Sequence, residues 1–165
     1  KINFQTKFLG KMKMENPMSN ETESILDLQI EVIQASIYCD IIKRLLLQHR
    51  SVSIVKVIVF SFIIKKQQYL QKSIYTGRNR DDLVLKFLSQ ASGLFDELCE
   101  QMPYIFQSID LLVKNDFCVV HEGELICNSI HKQGLSGFDT FTNSVIQESK
   151  IYSDRQFLKE VISIV

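Results

Sequence analysis

The sequence lacks net charge: across 165 residues, 19 Lys and Arg are matched by 19 Asp and Glu. A polycation that coats nucleic acid along its whole length is thereby excluded. Proline and glycine are scarce, at two and six residues, while 45% of the chain is hydrophobic. That combination rules out collagen-like structure and intrinsic disorder, because the chain can bury a core. Four cysteines (Cys39, Cys99, Cys118 and Cys127) form no CxxC pair. Neither a disulfide-stapled secreted domain nor structural zinc is therefore expected, and free thiols in a reducing cytoplasm fit best. Lys1 to Asn20 contains no apolar signal-peptide core, so export by that route is not expected. The longest greasy stretch, Val52 to Ile64, is interrupted by Lys56 and stops at Lys65-Lys66. It falls short of the roughly 20 residues a bilayer requires, so no membrane partner is expected. P-loop and dinucleotide-binding glycine motifs are missing too, and with them any expectation of a cofactor on this chain.

What is there is segregated charge. From Glu15 to Asp40 the charged residues are all acids (Glu15, Glu21, Glu23, Asp27, Glu31, Asp40). From Ile41 to Arg80 they are all bases (Lys43, Arg44, Arg50, Lys56, Lys65, Lys66, Lys72, Arg78, Arg80). Asp81 to Glu124 is again acidic apart from Lys86 and Lys114. Such blocks point to charged partners or to acidic and basic elements packed side by side.

Periodicity gives the elements. Ile2, Phe4 and Phe8 alternate with polar residues, which predicts a short strand or arm over 1–19. Asn20 and Glu23 have the spacing of a capping box. Ile25, Leu28, Val32, Ala35, Cys39, Ile42 and Leu46 then recur every three or four residues, predicting a long amphipathic helix over 21–49. Ile30, Ile33, Ile37 and Ile41 widen its apolar stripe. Val52 to Ile64 suits either strand or helix; a buried helix capped by Ser51 or Ser53 is the reading preferred here. Residues 65–77 are polar and basic, a connection. Asn79 with Asp81 and Asp82 opens a helix whose inner face is Leu83, Val84, Phe87, Leu88 and Ala91, and which continues past Gly93 through Leu94, Phe95, Leu98 and Met102. Pro103 is placed at the start of another helix, with Ile105, Phe106, Ile109, Leu112 and Val113 inward and Asn115 as its stop. Glu122-Gly123 between two β-rich runs predicts a tight hairpin in which Cys118 opposes Cys127, Val120 opposes Leu125 and His121 opposes Glu124. Cys118, Val120, Leu125 and Cys127 then share the buried face. Leu135 to Asp139 reads as a loop, followed by a helix near 139–149 and a last helix capped by Ser153 and Gln156 that contains Phe157, Leu158, Val161 and Ile162.

The expected fold is mainly α with a small β-hairpin: a winged helix-turn-helix core over 51–130, preceded by an arm (1–19) and a long helix (20–50), and followed by a C-terminal helical segment (131–165). The helix before the hairpin offers Gln107, Ser108, Asp110 and Lys114, and the wing tip adds Glu122 and Glu124. Phosphates reward Arg and Lys and repel such a set, so the unit is expected to dock protein.

The runs SVSIVKVIVFSFIIKK (51–66), IYTGRNRDDLVLKFLSQASGLFDELC (74–99) and PYIFQSIDLLVKNDFCVVHEGELIC (103–127) resemble the middle components of bacterial ABC three-component systems. Those are small subunits found beside an SMC-like ATPase and an effector in Lamassu-type defence against phage and plasmids. The resemblance covers about 51–127, weakens over 21–49, and rests on hydrophobic and turn patterns. It implies a non-catalytic scaffold bridging the ATPase and an effector nuclease, with ATP and Mg held by the ATPase, and it supplies no active-site residues.

Candidate sites are few. Cys127-x3-His131 with Cys118 opposite is the one grouping that hints at metal, and it has no fourth ligand nearby. A Cys/His hydrolase is equally thin. Lys65, Lys66, Lys72, Arg78 and Arg80, interleaved with Tyr69 and Tyr75, are the candidates for contact with a DNA backbone, alone or through the complex. Ile30, Ile33, Ile37, Ile41, Phe157 and Val161 are the candidates for a partner interface. The alternative function is a winged-helix transcriptional regulator that binds DNA directly.

Overall fold

A computed structural model describes residues 17–67, 83–128 and 137–164, with the side chains of 17–24 and 164 excepted. It is mainly helical, with one small sheet. In chain order the elements are α1 (Pro17–His49), β1 (Ser51–Ser53), α2 (Ile54–Gln67), α3 (Leu83–Leu88) running into a 3-10 turn at Ser89–Ala91, α4 (Phe95–Lys114), β2 (Cys118–His121), β3 (Glu124–Cys127), α5 (Thr140–Ser149) and α6 (Asp154–Ile164). The chain divides into two compact units, one ending at Val32 and the other running from Ile33 onward. The arm expected over the first residues, the Asn79 cap and most of the 135–139 loop lie outside the described residues.

In the first unit, α1 begins at Pro17, upstream of the expected start. Proline is suited to a first helical position because its missing amide has no helical partner there anyway, so Asn20 and Glu23 fall inside the helix. Every described side chain from Ile25 to Val32 is exposed.

The second unit holds the core. From α1 it takes Tyr38, Ile41, Ile42, Leu45 and Leu46, all fully buried. Arg50, at φ 63°, adopts the left-handed conformation just past the end of α1, and its amide donates to the Leu46 carbonyl at 2.9 Å. The chain turns there into β1. Val52 to Ile64 is neither all helix nor all strand. Ser51 to Ser53 pairs antiparallel with β3, and Ser53 Oγ accepts the Lys56 amide at 3.3 Å to cap the helix that follows. The local β preference of Val52 decides only where a partner strand is at hand.

Phe60 of α2 stacks edge-on to Phe87 of α3 and tilts against Phe157 of α6, both at 5.5 Å between ring centroids. Phe87 in turn meets Phe141 of α5 at 6.3 Å. These four rings join four helices. Ser108 of α4 is fully buried, and its hydroxyl lies 2.8 Å from the Ala35 carbonyl of α1 and 2.7 Å from that of Tyr104. A small polar residue here satisfies itself on backbone oxygens while letting the two helices approach.

The break expected at Pro103 does not occur: α4 is one helix with Pro103 inside it. Proline removes the amide that would bond the Cys99 carbonyl. Both residues are exposed, so water can serve that carbonyl. Asn115 closes the helix as expected, with Asp116 left-handed at φ 56°. The amides of Asp116 and Phe117 donate to the carbonyls of Val113 and Leu112, both at 3.0 Å, which is a Schellman closure.

The hairpin has the register read from the sequence: Cys118 opposes Cys127, Val120 opposes Leu125 and His121 opposes Glu124. Glu122 and Gly123 both have positive φ, 50° and 81°, as a type I′ turn requires. Cys118 and Leu125 are fully buried, but Val120 on the same face is 50% exposed. It lies on the edge strand β2, whereas its partner Leu125 lies on the central strand β3. The sheet has a third strand, in the order β1-β3-β2, which the periodicity did not reveal.

Candidate interaction surfaces

The basic run does not present itself as a free cluster. Lys65 Nζ donates to the Oε1 atoms of Gln34 and Gln101, the latter at 2.7 Å, and lies 4.5 Å from the centroid of the Tyr38 ring. Burial is the main cause that pushes its pKa down, aided by Lys66 and opposed by Glu97. Tyr38 donates to the same Gln101 oxygen at 3.2 Å, and burial, helped by Glu97, pushes its hydroxyl pKa up. Lys66 pairs with Glu97. Both lysines thus spend their charge inside the molecule, which weakens them as phosphate ligands. Lys72, Arg78 and Arg80, with Tyr69 and Tyr75, lie outside the described residues.

The expected partner-interface residues separate by burial. Ile30 and Ile33 are 50% and 57% exposed. Ile37 is half-buried against the core. Ile41, Phe157 and Val161 are core residues, Phe157 as one of the four clustered rings, and so offer no exposed surface to a partner. On α6 the outward apolar residues are instead Leu158 and Ile162, which with Arg155 and Lys159 line a shallow depression.

A surface missed in the sequence lies on α4. Phe95 and Phe106, both expected to point inward, are 50% and 46% exposed. On one continuous helix Phe95, Cys99, Met102 and Phe106 recur at i, i+4, i+7 and i+11 and so form a single stripe. The buried face carries Leu98, Ile105, Ser108, Ile109 and Leu112. Dividing the helix at Pro103 hid this phase; an unbroken 3.6-residue repeat would have found it. Asp96, Glu100 and Asp110 are exposed on the same helix, and Lys114 is held by Asp110 at 2.6 Å. An apolar stripe bordered by acids suits a protein surface and repels phosphate.

The thiols differ in environment. Cys99 is exposed, Cys39 and Cys127 are half-buried, and Cys118 is buried. Burial, helped by Cys127 across the hairpin, pushes the Cys118 thiol up to about 11. At pH 8 a thiol reagent is expected to label Cys99 first and Cys118 only on unfolding, read residue by residue by mass spectrometry. Because the folded pKa is raised, the unfolded chain ionises first, so stability falls as pH rises from about 9 to 11. The loss is on the order of 2 kcal/mol. Cys118→Ala should flatten that part of the stability curve; an unchanged curve would contradict the assignment. Among the described residues no group of three or more His, Cys, Asp or Glu side chains could hold a metal, and His131 lies outside them. No helix among them is long and apolar enough to cross a membrane. Compared with known proteins, the chain matches no family model, no curated protein and no solved structure.

Proposed function

We propose that this chain is a non-catalytic accessory scaffold bridging an SMC-like ATPase and an effector nuclease in a Lamassu-type defence complex, with ATP and Mg on the ATPase. The kind of complex comes from the sequence resemblance. The observation that carries the docking role is the exposed stripe of α4, where Phe95 and Phe106 stand half in solvent. Large aromatics left exposed on one helix face, with a polar border, are the usual anchors of protein interfaces.

The order of α1 to β3, with β1 completing the sheet beside β3, supports a winged-helix arrangement with α4 at the recognition position. In a DNA reader that helix meets the major groove with bases outward. Here the exposed acids Asp96, Glu100 and Asp110 would face phosphates, which disfavours the reading as a transcriptional regulator.

Co-expression of the tagged chain with the SMC-like ATPase of the same locus tests the proposal. The two should co-purify, and Phe95→Asp with Phe106→Asp should weaken the complex by 100-fold or more, since an anchor aromatic contributes about 2 kcal/mol. Both residues are exposed, so the variant should keep the wild-type circular dichroism and melting temperature. An ATPase that never associates, or one that binds wild type and variant equally, would remove the proposal.

A further inference from the structure

The exposed limb of α1 and the outer face of α6 carry matched chemistry. On α1, Ile25, Leu26, Leu28, Ile30 and Val32 are each at least half exposed. Asp27 and Glu31 stand beside them one helical turn apart, both exposed. So many aliphatic side chains in solvent favour association of this limb. On α6, Leu158 and Ile162 are 38% and 70% exposed. Arg155 and Lys159 stand beside them, again one turn apart and both exposed. None of these four charged side chains forms an ion pair among the described residues. Each helix therefore offers an aliphatic strip, Ile25, Leu28 and Val32 on α1 and Leu158 and Ile162 on α6, with two like charges beside it at the same i, i+4 spacing, and the two helices have opposite sign.

We infer that a second copy of this chain occupies the α1 limb, through the Arg155/Leu158/Lys159/Ile162 face of its α6. The charge pattern selects this occupant over a pairing of α1 with α1. From Glu15 to Asp40 the sequence has six acids and no Lys or Arg, so two such limbs side by side would set carboxylates against carboxylates. In the dimer we infer, each chain gives both faces, so that the contact is made twice about a two-fold axis. The dry part of each contact is aliphatic, and the flanking charges fix which helix is accepted. This contact uses neither Phe95 nor Phe106.

Sedimentation equilibrium of the full chain over about 1–100 μM, at low and high salt, reads the outcome. Wild type is expected to dimerise, and more weakly at high salt. The reversals Asp27→Lys/Glu31→Lys and Arg155→Glu/Lys159→Glu should each give monomers. An equimolar mixture of the two variants should restore a dimer, because both contacts are then again of opposite sign. The restored mixture also shows that each variant is folded. A wild-type monomer at the highest concentration overturns the inference. So does a wild-type dimer that either reversal leaves intact, or a pair of monomeric variants with native circular dichroism that stay apart when mixed.

Discussion

Phe60→Ala is expected to destabilise the protein by about 3–5 kcal/mol, the range for removing a fully buried aromatic ring and leaving part of its volume empty. Phe60 is fully buried, and its ring touches both Phe87 and Phe157 at 5.5 Å between centroids. The loss therefore falls on three helices at once: α2 loses its hold on α3, and α6 loses its hold on α2. The edge-on geometry with Phe87 adds about 0.5–1.5 kcal/mol beyond area burial. Against a whole-domain stability of roughly 5–15 kcal/mol, that is a large fraction of the total. Phe60→Leu retains most of the volume and should cost markedly less. Urea denaturation followed by circular dichroism measures both, with a fall in midpoint at unchanged slope as the signature. A cost below 1 kcal/mol for the alanine variant would mean that the four rings are not the centre of the core.

Those rings were legible only in part. The sequence placed Phe87 inward from spacing, since it sits in a short helix with one apolar face, but set Phe157 among the candidates for a partner interface. Phe60 lies in a stretch apolar all round, where period carries no information and the tertiary neighbours decide. The hairpin was legible to the residue because Glu122-Gly123 fixes a two-residue turn, and the turn fixes the register. The third strand was not, because Ser51–Ser53 is three residues long and becomes a strand only by pairing with β3. The surfaces were harder still. Spacing shows which residues share a helix face, as it does along α1. It cannot show how far along a helix the covering elements extend, so Ile25, Leu28 and Val32 continue the stripe of Ala35, Ile42 and Leu46 yet stand in solvent. On α6 the error was one of phase: Phe157 and Val161 face the core, and their neighbours Leu158 and Ile162 face out.

Asp154→Ala is expected to cost about 2 kcal/mol, whereas Lys56→Met should stay within about 1 kcal/mol of wild type. The asymmetry follows from where the two charges sit. The Lys56 side chain is 9% exposed and that of Asp154 42%, with 3.9 Å between Nζ and Oδ1. Nζ also donates to the Tyr152 carbonyl at 2.7 Å, and Asp154 Oδ1 accepts from Ser53 Oγ at 2.7 Å. Burial is the largest influence on Lys56 and pushes its pKa down; Asp154 leads the opposing influences, followed by Glu124. Taking away the carboxylate leaves an ammonium in a low-dielectric site with less compensation, strips Ser53 of its acceptor, and removes an acid from the first turn of α6. Taking away the ammonium leaves a carboxylate that solvent can reach, and methionine fills the space of the stem. The double variant should therefore be more stable than Asp154→Ala alone. The pH dependence has a definite sign. A lysine with a lowered folded pKa binds fewer protons than in the unfolded chain, so its cost is full below that pKa and fades as pH rises toward 10.5. Asp154→Ala lowers the Lys56 pKa further, so the penalty of the variant should shrink from pH 7 to pH 10. Equal and additive costs for the two single variants, or a penalty that grows with pH, would show that Lys56 is not held as a buried charge.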